Sequence, residues 1–490
     1  MPILSRQAIS TADVVAVARH GDRVGFASIL ERDLQASRDV VEAVLEAGLP
    51  VYGLNTELGA GRNVVVSPET LEDYQRRTIR NSAGGIGAPL GFEQTRAVIF
   101  ARLAGFSRGG AGVTVQLAAQ YRELLNRDVF PVVPRTGSVG AADLTHLAAI
   151  AAVATGGGFA FVDGETVPGA AALAAVGLEP VTLRPHEAIA ALSANSYSVG
   201  VGSLVLADLR GLSVAADVAA ALSLVALAGH GAGGSLSPFD ERIQAAHAVG
   251  PQAASAGRIR SLLATSALAS GAPVSTQDAI SFRSVPQVHG ALGVAVARLA
   301  AALDLELNSR TENPLVDVAS ASLVSGGNFF ALELALAFEN LRVAVAHVAA
   351  MAERRISQLS TLGSGLRRLG DANVPGLLWY SAAAEVAELR HLSGSVTLSG
   401  SSLSEGVEDH SSNAALALQL LERSVELLGS VLAIEAAVAV ELVETGAADA
   451  GEVLAPLVAA VGESNRGPGP LDGRVHSVLG LLLSAPGGSC

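Results

Sequence analysis

The chain has 490 residues, half of them hydrophobic, with a formal charge of −14 and a pI near 5.2. This is enough apolar material for a large core, divided by length into two or three domains, and the acidic balance without a basic stripe argues against a nucleic-acid partner. Every basic Lys/Arg position is arginine, so no lysine Schiff base or Walker-type phosphate lysine can form, and the one cysteine, Cys490, is terminal, which leaves no internal disulfide or cysteine metal site.

Met1 to Ser10 has no basic cluster leading into an apolar run, so it does not read as a signal or transit peptide, and the expected location is the cytoplasm. Residues 1–190 mix short helical segments with glycine-rich turns: Tyr52-Gly-Leu-Asn-Thr, Ala83-Gly-Gly-Ile-Gly and Gly137-Ser-Val-Gly. Loops carried on a rigid scaffold are where chemistry concentrates, so this is the expected catalytic region. Strand signals are few, the better ones being Asn63-Val-Val-Val and Glu179-Pro-Val-Thr-Leu.

Residues 191–412 are expected to form a central helix bundle of long Ala/Leu/Val-rich helices, broken by the polar turn Asn308-Ser-Arg-Thr-Glu-Asn-Pro-Leu. Thr361 to Ser412 is Gly/Ser-rich and reads as loops with short helices. Residues 413–490 give a last long helix, Asn413 to Glu444, and a Gly/Pro-rich tail. Leu212 to Gly229 and Val425 to Val443 are apolar enough to suggest membrane spans, but they carry Asp217, Glu426, Glu435 and Glu441, which are expensive in lipid. They read as helices buried on most faces, and no membrane partner is expected. The fold class is mainly α, with no solenoid repeat or sustained heptad.

Further segments follow in order: Gln277-Asp-Ala-Ile-Ser-Phe-Arg-Ser-Val-Pro-Gln-Val-His-Gly, Ser325-Gly-Gly-Asn-Phe, Glu353-Arg-Arg-Ile and Glu408-Asp-His. Taken singly, each has an ordinary reading. A lone tyrosine after an apolar segment is usually a core residue, a lone arginine a structural ion pair, and Glu-Asp-His a solvated turn. His146, His289 and His410 lack metal-ligand spacing and there is no His-Glu-x-x-His, so no metal is expected.

Together, and in this order along most of the chain, the segments resemble the histidine/phenylalanine ammonia-lyase and aminomutase superfamily. The resemblance implies an ammonia-lyase-like fold with a long central bundle, a small-molecule substrate, and a homotetramer whose active sites are shared between subunits. It assigns Tyr52 as the base, Asn195 and Gln277 as polar groups around the reacting amine or electrophile, Arg283 as the carboxylate clamp, and Asn313, Phe329 and Glu408 as lining, with Glu408 counted among the catalytic groups. An arginine fork fits a carboxylate bidentately. A tyrosine with an ordinary pKa of ~10 becomes a useful base only where positive potential lowers that value.

The chain departs from the family at the electrophile. There a methylidene-imidazolone (MIO) forms when Ala-Ser-Gly cyclises on its own backbone and the serine loses water, in the context Gly-Ser-Val-Gly-Ala-Ser-Gly-Asp-Leu. Here the stretch reads Gly137-Ser-Val-Gly-Ala-Ala-Asp-Leu, so Ala141, Ala142 and Asp143 stand at that place with one residue and the serine missing. As written, the chain implies no cofactor; an MIO would require that Ala141-Ala142 stand for a collapsed Ala-Ser-Gly triplet, which would leave one residue too many before Asp143. At the family's specificity pair the chain has Asn81-Ser82 after Arg80, which points away from imidazole or a greasy ring and toward a polar substrate, with Arg80 a second candidate anion contact. Ile280 replaces the aromatic residue near Gln277.

The resulting expectation is a lyase- or isomerase-type enzyme without MIO, using Tyr52 on a polar amino-acid-derived or related carboxylate substrate. The alternatives are a conventional MIO-dependent, non-histidine ammonia-lyase or 2,3-aminomutase, and a non-catalytic homologue.

Overall fold

The computed structural model describes residues 1–271, 275–365, 370, 372–446 and 449–485, so Cys490 lies outside the described residues. The chain is 62% helical with few strands, as its patterning predicts. Two compact units are each assembled from three segments: Met1–Ala207, Leu299–Phe338 and Ser395–Gln419 form the first, and Asp208–Arg298, Glu339–Gly394 and Leu420–Cys490 the second. These divisions cut across the contiguous regions read from the sequence. All of them but the one at 394/395 fall inside long helices, Ser196–Gly229, Val285–Leu307, Leu332–Leu362 and Ala414–Thr445, where composition does not change.

The first unit is organised around the helix Phe92–Phe106, which is apolar on all faces and buried along nearly its whole length. Thr11–Arg19 and Val115–Asn126 pack against it. The Thr11 helix begins at a capping box, in which Ser10 and Asp13 satisfy each other's backbone N–H groups. Gly200 lets the start of the Ser196 helix touch the backbone of this central helix, since a Cβ there would lie 2.6 Å from the Ala97 carbonyl oxygen. Arg102, fully buried in the same helix, pairs with Glu312 at 3.3 Å.

Strands are short pairs at the edges of the helices, such as Phe159–Val162 with Glu165–Pro168 and Leu315–Asp317 with Ser322–Val324. Neither expected strand forms one. Val64 and Val65 are exposed and the stretch is held to the Tyr52 loop by an isolated bridge, Val65 to Thr56, while Val181 and Leu183 are buried in a stretch with no ladder partner among the described residues. Thr361 to Ser412 also departs from expectation, because it contains a 15-residue helix, Leu378–Leu392, within its Gly/Ser-rich surroundings.

In the second unit the acids that break the apolar helices are accounted for one by one. Asp217 accepts hydrogen bonds from Ser255 Oγ (2.5 Å) and Arg258 Nε (2.8 Å) and lies 2.7 Å from His289 Nδ1. Glu435 is clasped by Arg355 at 2.6 and 2.9 Å and accepts from Ser223 Oγ at 2.6 Å. Glu441 receives the backbone N–H groups of Asn373 and Val374, and Glu426 faces outward to Arg423. Three segments, Glu187–Gly229, Val285–Leu307 and Leu332–Leu362, are long and apolar enough to cross a membrane by length and composition alone. The apolar window of the first is 83% buried within the structure, which uses its apolar surface as core.

Candidate active site

Tyr52 sits on a loop that its own sequence closes. Asn55 accepts the Val51 N–H (2.7 Å) and donates to the Leu49 carbonyl (3.0 Å), and Gly53 supplies a left-handed residue with φ of 70°. A side chain at Gly53 would also strike Ile189, 2.8 Å from the built Cβ. The Tyr52 hydroxyl accepts the Gly59 N–H at 3.2 Å. Facing this loop is the segment around Glu408, where Leu403 and Glu408 form a bridge and Ser404 Oγ accepts from the Ala60 N–H at 3.2 Å.

The floor is the Gly137 to Asp143 loop. It is pinned by Ala142 N–H to the Phe329 carbonyl (3.0 Å), Asp143 N–H to Ala194 (2.8 Å) and Asn413 N–H to Val139 (2.8 Å). Ser138 braces it from within, accepting the Gly140 N–H (3.1 Å) and donating to Asp143 Oδ1 (2.8 Å). Ala142 is held left-handed at φ of 61°, a conformation that non-glycine residues adopt at a cost. Asn313 is fixed from both sides: its N–H donates to Ser193 Oγ (3.0 Å) and its Oδ1 accepts the Gly326 N–H (3.1 Å).

These elements enclose a pocket of about 240 Å³ lined by Tyr52, Ser82, Ala141, Ala142, Asn313, Phe329 and Glu408, all singled out from the sequence. Leu58, Gly59, Leu144, Ile189, Leu192, Ser193 and Ser404 complete the lining. Sequence reasoning did not single these out, although Leu144 directly follows Asp143, Ser193 lies two residues before Asn195, and Leu58 and Gly59 lie just beyond the tyrosine loop. Burial pushes the Tyr52 phenol above its ordinary range, against the Gly59 N–H, and the Glu408 charge adds to the rise. Burial likewise pushes the half-buried Glu408 carboxyl up.

Other candidates are placed elsewhere. Asp143 is buried behind the loop, where Oδ2 accepts the Ser198 N–H at 2.9 Å. Asn195 lines a separate small polar cavity and donates to Glu306 Oε2 at 3.3 Å, so it does not reach the Tyr52 pocket. Arg80 is exposed and lines neither the Tyr52 pocket nor the chamber next to it, because two residues along a helix from Thr78 turn a side chain to the far side. Asn81 faces that adjoining chamber.

Gln277, Ile280 and Arg283 belong to the second unit. Gln277 and Ile280 are exposed, and Arg283 keeps a buried Nε with no hydrogen-bond partner among the described residues. The turn that carries Arg283 is itself held, since Arg355 Nη1 donates to the Ser281 carbonyl at 2.9 Å.

Tyr52, Glu408 and Asn313 thus meet around one pocket from separate loops of a helical scaffold. The same fold occurs in the phenylalanine aminomutase of Pantoea agglomerans (TM-score 0.91, 24% identity, 99% of both chains) and in the ergothioneine-degrading enzyme ergothionase of Treponema denticola (TM-score 0.90, 23% identity, 99% of both chains). The aromatic amino acid lyase model matches residues 9–463. Histidine ammonia-lyases of Stigmatella aurantiaca and Symbiobacterium thermophilum are each 36% identical, over 88% and 89% of this chain and 86% and 87% of theirs. The chain belongs to the aromatic amino acid lyase family and is an ammonia-lyase/aminomutase-type enzyme.

Proposed function

We propose that this enzyme carries out elimination or isomerisation on a polar amino-acid-derived or related carboxylate, with Tyr52 as base and without an MIO group. One observation carries the reading: the tyrosine, Glu408, Asn313 and Phe329 share a pocket whose floor is Ala141-Ala142. The residues present do not fit the family's electrophile. The methylene carbon of MIO comes from a serine side chain within the cyclised segment, and the one serine between Gly137 and Asp143, Ser138, spends its hydroxyl bracing the loop.

Without an electrophile to activate the amine, the substrate must bring its own activation, either a more acidic β-proton or a better leaving nitrogen. Tyr52 then removes the β-proton, and the pair left on carbon forms the double bond as the nitrogen departs. The substrate's positive nitrogen supplies in the complex the potential that lowers the tyrosine pKa. Glu408, its carboxyl pushed up by burial, lines the pocket beside the base. The curated relatives act on histidine by name, and a conventional histidine ammonia-lyase is the second reading, supported by their 36% identity. Asn81-Ser82 and the absence of a serine between Gly140 and Asp143 weigh against it.

We further infer a cytoplasmic homotetramer in which Arg283 and Gln277 of another copy complete the pocket. Supporting this, Arg283 has an unused buried donor, and the long apolar helices expose Val294, Leu305, Leu336 and Val343. Mixing tests the shared site. With a substrate found by the ultraviolet absorbance of its unsaturated product, Tyr52→Phe and Arg283→Met are each expected to be inactive, and subunit exchange between them to restore activity. Full activity of either variant alone would defeat the reading.

A further inference from the structure

The first unit also holds a cleft of about 370 Å³ that shares no lining residue with the Tyr52 pocket. Its chemical lining is Arg6, Asp33, Ser107, Arg108 and Arg310, and its volume is within the range of small-molecule sites. The helix Ser28–Glu46 supplies Asp33, the residues just after the helix Phe92–Phe106 supply Ser107 and Arg108, and the polar turn before Pro314 supplies Arg310. These walls are tied together. Asn308 accepts the Ile9 N–H and donates to the Ile9 carbonyl, each at 2.8 Å, and Arg108 donates to the Ser5 and Gln7 carbonyls on either side of Arg6 at 2.7 and 3.0 Å.

The charges on the walls do not balance. Arg6 is held by Asp33 through two hydrogen bonds of 2.7 and 2.6 Å. Half-buried Arg108 spends its N–H groups on neutral oxygens, the Ser5 and Gln7 carbonyls, Ser107 Oγ and Asn308 Oδ1, and has no carboxylate partner among the described residues. Burial pushes its guanidinium below the ordinary arginine range, with no acid to offset the loss of water. Arg310 makes no hydrogen bond among the described residues, and its ion pair with Asp317 is loose at 3.9 Å because Ser320 engages that carboxylate at 2.5 and 3.1 Å. Glu312, two residues along, is buried and turned to Arg102. In a chain of net charge −14, the lining thus sets three arginines against one aspartate, an excess of two positive charges.

We propose that this cleft binds a dianionic oxyanion of the phosphate kind, free or as the head of a small organic phosphate, with Arg310 as the hydrogen-bonding fork and Arg108 as a fixed charge. The free planar edge of Arg310 suits two oxygens of one anion. Arg108, its donors committed, acts through charge alone. A phosphate group close to its dianion matches the excess of two, whereas a single carboxylate would leave one cation unbalanced. The site stands apart from the reacting pocket, so it does not depend on Tyr52 being the base.

Calorimetric titration of the full-length enzyme tests it with inorganic phosphate, glycerol 3-phosphate and acetate, at pH ~8, where phosphate is the dianion, and at constant ionic strength balanced with chloride. Inorganic phosphate is expected to bind saturably and acetate to bind more weakly by roughly tenfold or more. Arg310→Gln should weaken phosphate binding by roughly tenfold or more, the scale of one or two charge-assisted hydrogen bonds, and Arg310→Lys, which keeps the charge, should lose less. Arg242→Gln, the same change of net charge placed in the second unit, should leave binding as in the wild type. Tighter binding of glycerol 3-phosphate than of inorganic phosphate assigns the cleft to an organic phosphate, and equal or weaker binding assigns it to the free ion. Phosphate binding that is absent from the wild type, matched by acetate, or no weaker in Arg310→Gln than in Arg242→Gln would overturn the proposal.

Discussion

Tyr52→Phe is expected to lower kcat by a factor of ~10²–10⁴, the usual worth of a positioned general base, while leaving the fold intact. The structural loss is small because the phenol makes one hydrogen bond among the described residues, from the Gly59 N–H at 3.2 Å, and Gly59 lines the same pocket, where water can take that N–H. The pH dependence follows from the direction of the pKa shift. A buried phenol beside Glu408 is harder to ionise than a free one, so the deprotonated base is scarce at neutral pH. The profile of kcat/KM, which reports the free enzyme, should therefore climb with pH and still be climbing at pH ~9, below the ordinary tyrosine range. The limb in kcat should lie lower, because the bound substrate's positive nitrogen favours the phenolate. Stopped-flow or steady-state rates in a series of buffers check both limbs, and a flat profile in kcat/KM would remove Tyr52 as the base.

The second large effect is structural. Arg355 and Glu435 are both fully buried and joined by two short hydrogen bonds, so Arg355→Met leaves the carboxylate with the Ser223 hydroxyl as its one side-chain partner among the described residues. Breaking one side of such a pair costs ~3–5 kcal/mol. Thermal or denaturant unfolding should show that loss, and Arg355→Met combined with Glu435→Leu should recover most of it, since an apolar pair needs no partner. Arg355 also donates to the Ser281 carbonyl in the turn that carries Arg283. Where the single variant still folds, KM should rise more than kcat falls, and recovery of stability in the double variant should not restore KM. Equal stability of the single variant and the wild type would contradict the role given to the pair.

How much of this was legible in the sequence differs by residue. Tyr52, Asn313, Phe329 and Glu408 were named through the family resemblance of the segments that carry them, and the structure brings all four to one pocket. Asn195 was legible as a polar residue but not as the partner of Glu306, a contact across 111 positions of sequence. The acids in the apolar helices signalled burial with a partner, yet nothing in the string chose Arg355 for Glu435 or His289 for Asp217. The expected strands failed for a similar reason. Val181 and Leu183 are as buried as strand residues, but a ladder partner is a property of the whole fold.

Chemistry without an MIO group depends most directly on the loop from Gly137 to His146. The mass of the peptide spanning it, isolated from catalytically active enzyme, is predicted to equal that of the unmodified sequence Gly-Ser-Val-Gly-Ala-Ala-Asp-Leu-Thr-His. A mass lower by the waters lost in cyclisation and dehydration, with the near-ultraviolet absorbance of an MIO ring, would contradict it and restore the conventional ammonia-lyase chemistry.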